Sequence, residues 1–284
     1  MNDQVQRFLF DELDIRGAVV NLGPVWRGML AGRDYPAPVA HLLGEMSATT
    51  LLIGCNLKQP GRITFQLRGS GPVSLLVIDC NERLQIRGMA RCAGQVAPGP
   101  APDLLGHGQL LLSLDLPSMR EPYQSFVPLD GDSIATIFEH YLKQSEQLPS
   151  RLFLAANEHG AAGLFLQKLP TADERDPDGW ARIEHLASTV KAEELLGLSP
   201  EALLLRLFNE ETVRVFDAQP VAHDCPEDWE KVRSMLRALG RDEVDAILRE
   251  HGEVVIKDDI CNREYRFDAQ AVEALFRANP PTLH

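Results

Sequence analysis

The chain has 284 residues, of which 44% are hydrophobic and 24% charged, enough for one large domain or two modest ones with ordinary cores. Its 41 acidic residues outnumber 28 basic ones, and the net charge of −13 repels phosphate backbones and anionic lipid, so nucleic acid and membranes are disfavoured as partners. The five cysteines at 55, 80, 92, 225 and 261 form no CxxC pair and no disulfide framework, the N-terminus lacks a basic-then-apolar signal pattern, and no uncharged apolar run reaches spanning length; a reducing cytoplasm is the expected location.

In chain order, helical spacing appears first between Pro38 and Leu52, where Val39, Leu42, Leu43, Met46 and Thr50 share a face. Ile63 to Leu67 alternates as a strand, and Gly69-Ser70-Gly71-Pro72 turns the chain into a nearly continuous apolar strand from Val73 to Ile78. Leu84 to Ala90 and Leu110 to Leu116 read as strands, Ile134 to Leu142 as a helix, and Arg151 to Ala156 and Leu164 to Leu169 as strands. Hairpin-length gaps among these segments predict an α+β fold with antiparallel sheets over residues 1–170 rather than a regular βαβ winding.

The polar stretch from Pro170 to Gly179, broken by two prolines, marks a boundary. A helical linker, residues 171–220, follows. Trp180, Ile183, Ala187 and Val190 recur at helical spacing, Leu195-Leu196 continue the apolar content, and Ser199-Pro200-Glu201 caps a helix whose face is Leu203, Leu204, Leu207 and Phe208. A short strand is expected from Thr212 to Phe216. Residues 221–284 read as a small α+β module. A helix opens at Pro226-Glu227-Asp228 and stops at Gly240, and a second stops at Gly252. Val254-Val255-Ile256 and Tyr265-Arg266-Phe267 flank a polar turn, and Asp268 caps a last helix. So small a core ordinarily needs a staple.

Motifs for catalysis are missing. There is no GxSxG elbow and no HExxH, and Gly106-His107-Gly108 lacks the third glycine of a dinucleotide fingerprint. The histidines do not pair at ligand spacing. No enzyme activity and no nucleotide cofactor are expected.

Several stretches together carry a resemblance: Asp34-Tyr35-Pro36-Ala37-Pro38-Val39, Gly69-Ser70-Gly71-Pro72, Arg87-Gly88-Met89-Ala90-Arg91, Ser145-Glu146-Gln147-Leu148-Pro149-Ser150-Arg151-Leu152-Phe153, Glu193-Glu194-Leu195-Leu196, Arg206-Leu207-Phe208-Asn209-Glu210-Glu211 and Glu243-Val244-Asp245-Ala246-Ile247-Leu248. From Phe8 to about Phe267 the chain resembles the heat-shock protein 33 family of redox-regulated holdase chaperones. The resemblance implies an N-terminal α+β domain, a helical linker wrapped over it and a small C-terminal zinc domain. It also implies ATP-independent capture of unfolding client proteins under oxidative or heat stress, and a homodimer in the active state. In the family, four cysteines in a CxC…CxxC pattern hold zinc in the idle protein, and oxidation to disulfides expels the metal and unfolds tail and linker. Carried onto this chain, the client surface is the linker and the face it covers, with Trp180, Ile183, Leu195, Leu196, Leu203, Leu204, Leu207 and Phe208 as candidates.

The tail departs from the pattern. Matched through Glu243-Val244 and Gly252-Glu253, the CxC falls on Cys225-Pro226-Glu227 and the CxxC on Asp258-Asp259-Ile260-Cys261. The zinc-ligand positions are then Cys225, Glu227, Asp258 and Cys261, a harder and weaker set than four thiolates, with His223 nearby as a substitute. A zinc-free module held by Trp229, Leu236, Ile247, Leu248, Tyr265 and Phe267 is the expectation. The redox candidates are Cys225 and Cys261, and the switch is expected to be weakened or lost; Cys55, Cys80 and Cys92 are expected to be buried, inert thiols. Two other classes stay open: a thiol-dependent oxidoreductase, which needs a low-pKa cysteine with a resolving partner, and a partner-binding protein without chaperone activity.

Overall fold

The first two strands, β1 (Gln4–Phe10) and β2 (Ile15–Leu22), are rich in β-branched and aromatic residues and lead through α1 (Pro24–Leu30) to the long α2 (Ala37–Gly54). The computed structural model describes residues 2–57 and 59–277. Next come β3 (Arg62–Gly69), β4 (Val73–Cys80), β5 (Gln85–Cys92), α3 (Ala101–Leu105), β6 (Gly108–Asp115), β7 (Tyr123–Pro128), α4 (Ile134–Ser145), β8 (Ser150–Ala156) and β9 (Ala161–Lys168). Four short helices follow, α5 (Ala172–Arg175), α6 (Gly179–Ala187), α7 (Ala192–Gly197) and α8 (Pro200–Phe208), then the two-residue strands β10 (Arg214–Val215), β11 (Gln219–Pro220) and β12 (Ala222–His223). The mixture of antiparallel sheets with helices is the α+β fold that the segment pattern predicts.

The chain divides into two compact units, residues 1–224 and 225–284. The segment 171–220 lies within the first unit. That unit has two sheets. One has the order β10-β1-β2-β9-β8, with β11 also paired to β1; the other has the order β12-β5-β4-β3-β6-β7. Pairing is antiparallel throughout except between β12 and β5.

Helix α2 lies in the main core with residues from both sheets, and this changes its burial. A single apolar face is expected from the spacing, yet Ser47, Ala48, Thr49, Leu51 and Leu52 are buried as well. A helix enclosed by other elements buries most of its circumference. Its hydroxyls are satisfied inside the helix: Ser47, Thr49 and Thr50 donate to the carbonyls of Leu43, Glu45 and Met46 at 2.7, 2.8 and 2.8 Å. Around it sit Trp26, Phe65, Ile78 and Phe138; the Trp26 indole donates to the Asn157 carbonyl at 2.7 Å, and Phe65 meets Phe138 edge-to-face at 4.7 Å.

Some boundaries shift. The strand expected from Thr212 to Phe216 is only Arg214–Val215, an outer strand of its sheet set against Phe8 and Leu9. The helix expected to stop at Leu142 runs to Ser145, started by Ser133, whose hydroxyl accepts from the Thr136 amide at 3.2 Å.

Phe65→Ala empties a fully buried site and is expected to lower stability by about 3–5 kcal/mol. Phe126→Ala, at a side chain 62% exposed, is expected to change it by less than about 0.5 kcal/mol. Denaturant midpoints of the two variants against the parent chain check both values.

Candidate functional site

The sheet that contains β1, β2, β9 and β8 buries an apolar cluster on each of its faces. Val5, Ala18, Val20, Ala161 and Phe165 enter the main core with α2. On the opposite side Phe8, Phe10, Ile15, Val19, Leu164 and Leu166 form a second core. Successive strand residues point to opposite faces, so Ala18-Val19-Val20 and Leu164-Phe165-Leu166 serve both cores at once. At β2, Gly17 admits the Phe8 ring: a Cβ there would stand 2.7 Å from the Phe165 carbonyl oxygen.

Helices α6, α7 and α8 cover this second face. Ile183, Leu195, Leu203, Leu204, Leu207 and Phe208 are buried in it, and Trp180 and Leu196 pack against it half-buried. The structure thus brings all eight linker candidates onto one surface. Phe208 meets Phe10 edge-to-face at 5.0 Å and lies 6.4 Å from Phe8. The residues beneath, Phe8 to Leu166, are absent from the candidates of the sequence. Their signal is apolar character at both strand parities.

The cover is short-range structure. α6, α7 and α8 have 9, 6 and 9 residues. Isolated helices of that length are marginal in water, so packing on the sheet holds them folded. Local hydrogen bonds assist: the Ser199 hydroxyl accepts from the Ala202 amide at 3.3 Å, and the Lys191 amide donates to Glu194 at 2.9 Å. The buried Asn21 side chain on β2 donates to the Leu195 carbonyl at 3.2 Å. Two arginines clamp the rim. Arg206 binds Glu194 and the Thr189 hydroxyl at 2.7 and 2.8 Å, and Arg182 binds Glu211 and Asp176 at 2.7 and 3.0 Å. The Lys191 amide and Arg206 hold the Glu194 carboxyl below its ordinary range, and Arg182 with the Asp178 amide does the same for Asp176. Exposed ion pairs of this kind contribute little individually.

The second unit consists of α9 (Trp229–Leu239), α10 (Arg241–His251), β13 (Val254–Asp258), β14 (Arg263–Phe267) and α11 (Ala269–Arg277). The expected hairpin and the three expected helices are present. Its core is Val232, Leu236, Val244, Val254, Tyr265, Phe267, Val272 and Leu275. Trp229 stands edge-on to Tyr265 at 4.9 Å and to Phe267 at 5.7 Å, and the Asp228 amide donates to the Tyr265 hydroxyl at 3.1 Å. Ile247 and Leu248 pack half-buried at its edge.

Cys225 and Cys261 are joined as a disulfide, with Cα atoms 5.5 Å apart. The carboxylates at the other two positions matched to the zinc pattern, Glu227 and Asp258, are engaged in hydrogen bonds of their own. Glu227 accepts from the Trp229 indole at 3.0 Å. Asp258 accepts from the amides of Ile260 and Cys261 at 3.0 and 3.2 Å, fixing the hairpin turn. His223 lies on β12, its Nδ1 3.2 Å from where a Cβ of Gly28 would stand, and burial with Arg33 nearby lowers its pKa. Among the described residues no three His, Cys, Asp or Glu side chains converge as a metal site. Two sulfurs bonded to each other offer no thiolate, so in this arrangement the four positions do not fit zinc.

Of the three cysteines expected to be buried, Cys80 is, whereas Cys55 and Cys92 are only half-buried because each sits at the end of its element, α2 or β5. Burial pushes the pKa of Cys55 and of Cys80 up to about 12, with Asp79 adding to the shift at Cys80.

Comparison with known proteins places this architecture. The family model described as Hsp33 protein matches residues 3–268. A 33 kDa chaperonin of Methylobacillus flagellatus is 41% identical over 278 residues, covering 97% of this chain and 95% of its own length. That of Nitrosococcus oceani is 41% identical over 274 residues, with 96% and 94% covered. The crystal structure of a 33 kDa chaperonin from Thermotoga maritima superposes with a TM-score of 0.83 over 96% of this chain and 97% of that one, at 21% identity, a likeness of fold.

The clamps set a pH dependence. A carboxyl lowered in the folded state adds stability that is fully present above its ordinary pKa and lost as pH falls through the lowered value. Hydrogen exchange, corrected for intrinsic chemistry, should therefore show α6–α8 losing protection as the pH drops below about 4 while α2 keeps it. Equal loss in both would contradict the clamp.

Proposed function

The chain belongs to the Hsp33 family, and we propose that it acts as an ATP-independent holdase that binds apolar segments of unfolding proteins and keeps them from aggregating. The single observation that carries this reading is the covered sheet face. A stripe of short helices lies on an apolar surface, and each half is unstable in water without the other. Releasing the cover frees both Phe8, Phe10 and Leu164 on the sheet and Leu203, Leu207 and Phe208 on the linker. Contiguous apolar surface of that kind binds exposed hydrophobic segments with little sequence preference.

Heat is the natural trigger. Marginal helices held by packing and exposed ion pairs open at lower cost than α2, which lies in the main core. In this reading the partners are unfolded clients and a second copy of the chain, the location is the cytoplasm, and neither nucleic acid nor membrane takes part. No helix among the described residues is long and apolar enough to cross a membrane. A thiol-dependent oxidoreductase gains no support from Cys55 and Cys80, whose raised pKa values remove the thiolate such chemistry requires.

A test of the holdase is light scattering from a chemically unfolded enzyme diluted into buffer without nucleotide. The chain should suppress scattering at roughly stoichiometric amounts after warming. Phe208→Ala, which removes an aromatic contact between cover and sheet at a cost of about 3–5 kcal/mol, should suppress it at a lower temperature than the parent. No suppression by either protein at several-fold excess would reject the proposal.

We also propose that the second unit is held by its own core without zinc, the disulfide adding to it when it is formed. Protein purified without chelator should carry well below one zinc per chain by elemental analysis. A content near one would reject this.

A further inference from the structure

We infer that the Cys225–Cys261 disulfide fastens the second unit in its folded form, so that reduction, not oxidation, is the event that loosens it. The bond joins the segment just ahead of α9 to the turn between β13 and β14, across a sequence separation of 36 residues. The loop it closes contains α9, α10 and β13, and with them Val232, Leu236, Val244 and Val254, half of the buried core. Both ends are placed by native contacts. Asp258 holds the amide of Cys261, and Tyr265 holds the amide of Asp228, three residues after Cys225. The Cα separation of 5.5 Å lies within the range a disulfide spans without moving the backbone. The bond therefore asks nothing of the folded unit and restricts the unfolded one.

The sign of the effect follows. A cross-link that fits the native geometry acts mainly by removing freedom from the open chain, and a loop of this length shifts the opening equilibrium by roughly 600-fold toward the folded form. Each half of the site holds a single cysteine, so no bond can form within a half and draw the unit out of shape. Both cysteines are half-buried, within reach of a small reductant. A dithiol supplies the two electrons and two protons: one of its sulfurs attacks a bridge sulfur, its second thiol resolves the mixed disulfide, and it leaves as a cyclic disulfide while Cys225 and Cys261 become thiols. In the other direction a peroxide oxidises one thiol to a sulfenic acid with release of water. The second thiol then displaces another water and closes the bond. The consequence for chaperone activity rests on the holdase reading; the polarity of the fastening does not.

Hydrogen exchange of the full chain tests it, comparing peroxide-treated with dithiothreitol-reduced protein. Amides of α9 and α10 should exchange up to about 600-fold faster after reduction, while α2 is unchanged. The double variant Cys225→Ser/Cys261→Ser should match reduced wild type under both treatments. Equal exchange in the two wild-type forms, or slower exchange in the reduced one, overturns the inference. Client aggregation measured on the same samples separates the two proposals. If reduction speeds exchange yet neither form ever suppresses aggregation, the fastening stands and the holdase reading falls.

Discussion

A sheet that is apolar on both faces cannot be left half uncovered. In this protein β1, β2, β9 and β8 send Val20 and Phe165 into the main core and Val19, Leu164 and Leu166 out the other side. Everything about the linker follows from the need to cover that second side. The cover is built from helices of 6 to 9 residues, too short to persist by themselves, so sheet and linker stabilise each other or not at all. An ordinary domain would use one long helix here, as the same sheet does on its inner side with α2.

The two sides differ in what holds them. Helix α2 is enclosed by both sheets and anchored by Trp26, Phe65 and Phe138. The linker has one layer of apolar contacts, rimmed by Arg182 and Arg206 ion pairs that solvent reaches. With fewer layers of packing and more solvent-exposed bonds, the linker is expected to open at lower cost than α2. The small unit shows the same economy. Glu227 and Asp258 are engaged with the Trp229 indole and with turn amides, and Cys225 and Cys261 close a loop around α9, α10 and β13.

Much of this was legible in the residues. Ser199-Pro200 marks the start of α8, Gly240 and Gly252 stop α9 and α10, and the hairpin 254–267 follows from Val254-Val255-Ile256 and Tyr265-Arg266-Phe267 flanking a polar turn. These signals are local. The first two strands were not legible, because Ala18-Val19-Val20 is apolar at every position and has no period to read. For the same reason the covered face, Phe8, Phe10, Ile15, Leu164 and Leu166, carries no period of its own, whereas the linker stripe that sits on it has helical spacing. The meeting of Cys225 with Cys261 depends on the packing of a whole unit between them, which sequence spacing does not encode; only the family pattern set these two positions side by side.

The central claim is that clients bind where the linker leaves the sheet. Hydrogen exchange measured on the complex with an aggregation-prone client, against the free protein at the same temperature, addresses it directly. The account predicts that residues 179–208 lose protection in the complex while β9 gains or keeps it and α2 is unaffected. A complex in which α6, α7 and α8 stay as protected as in the free chain would contradict it.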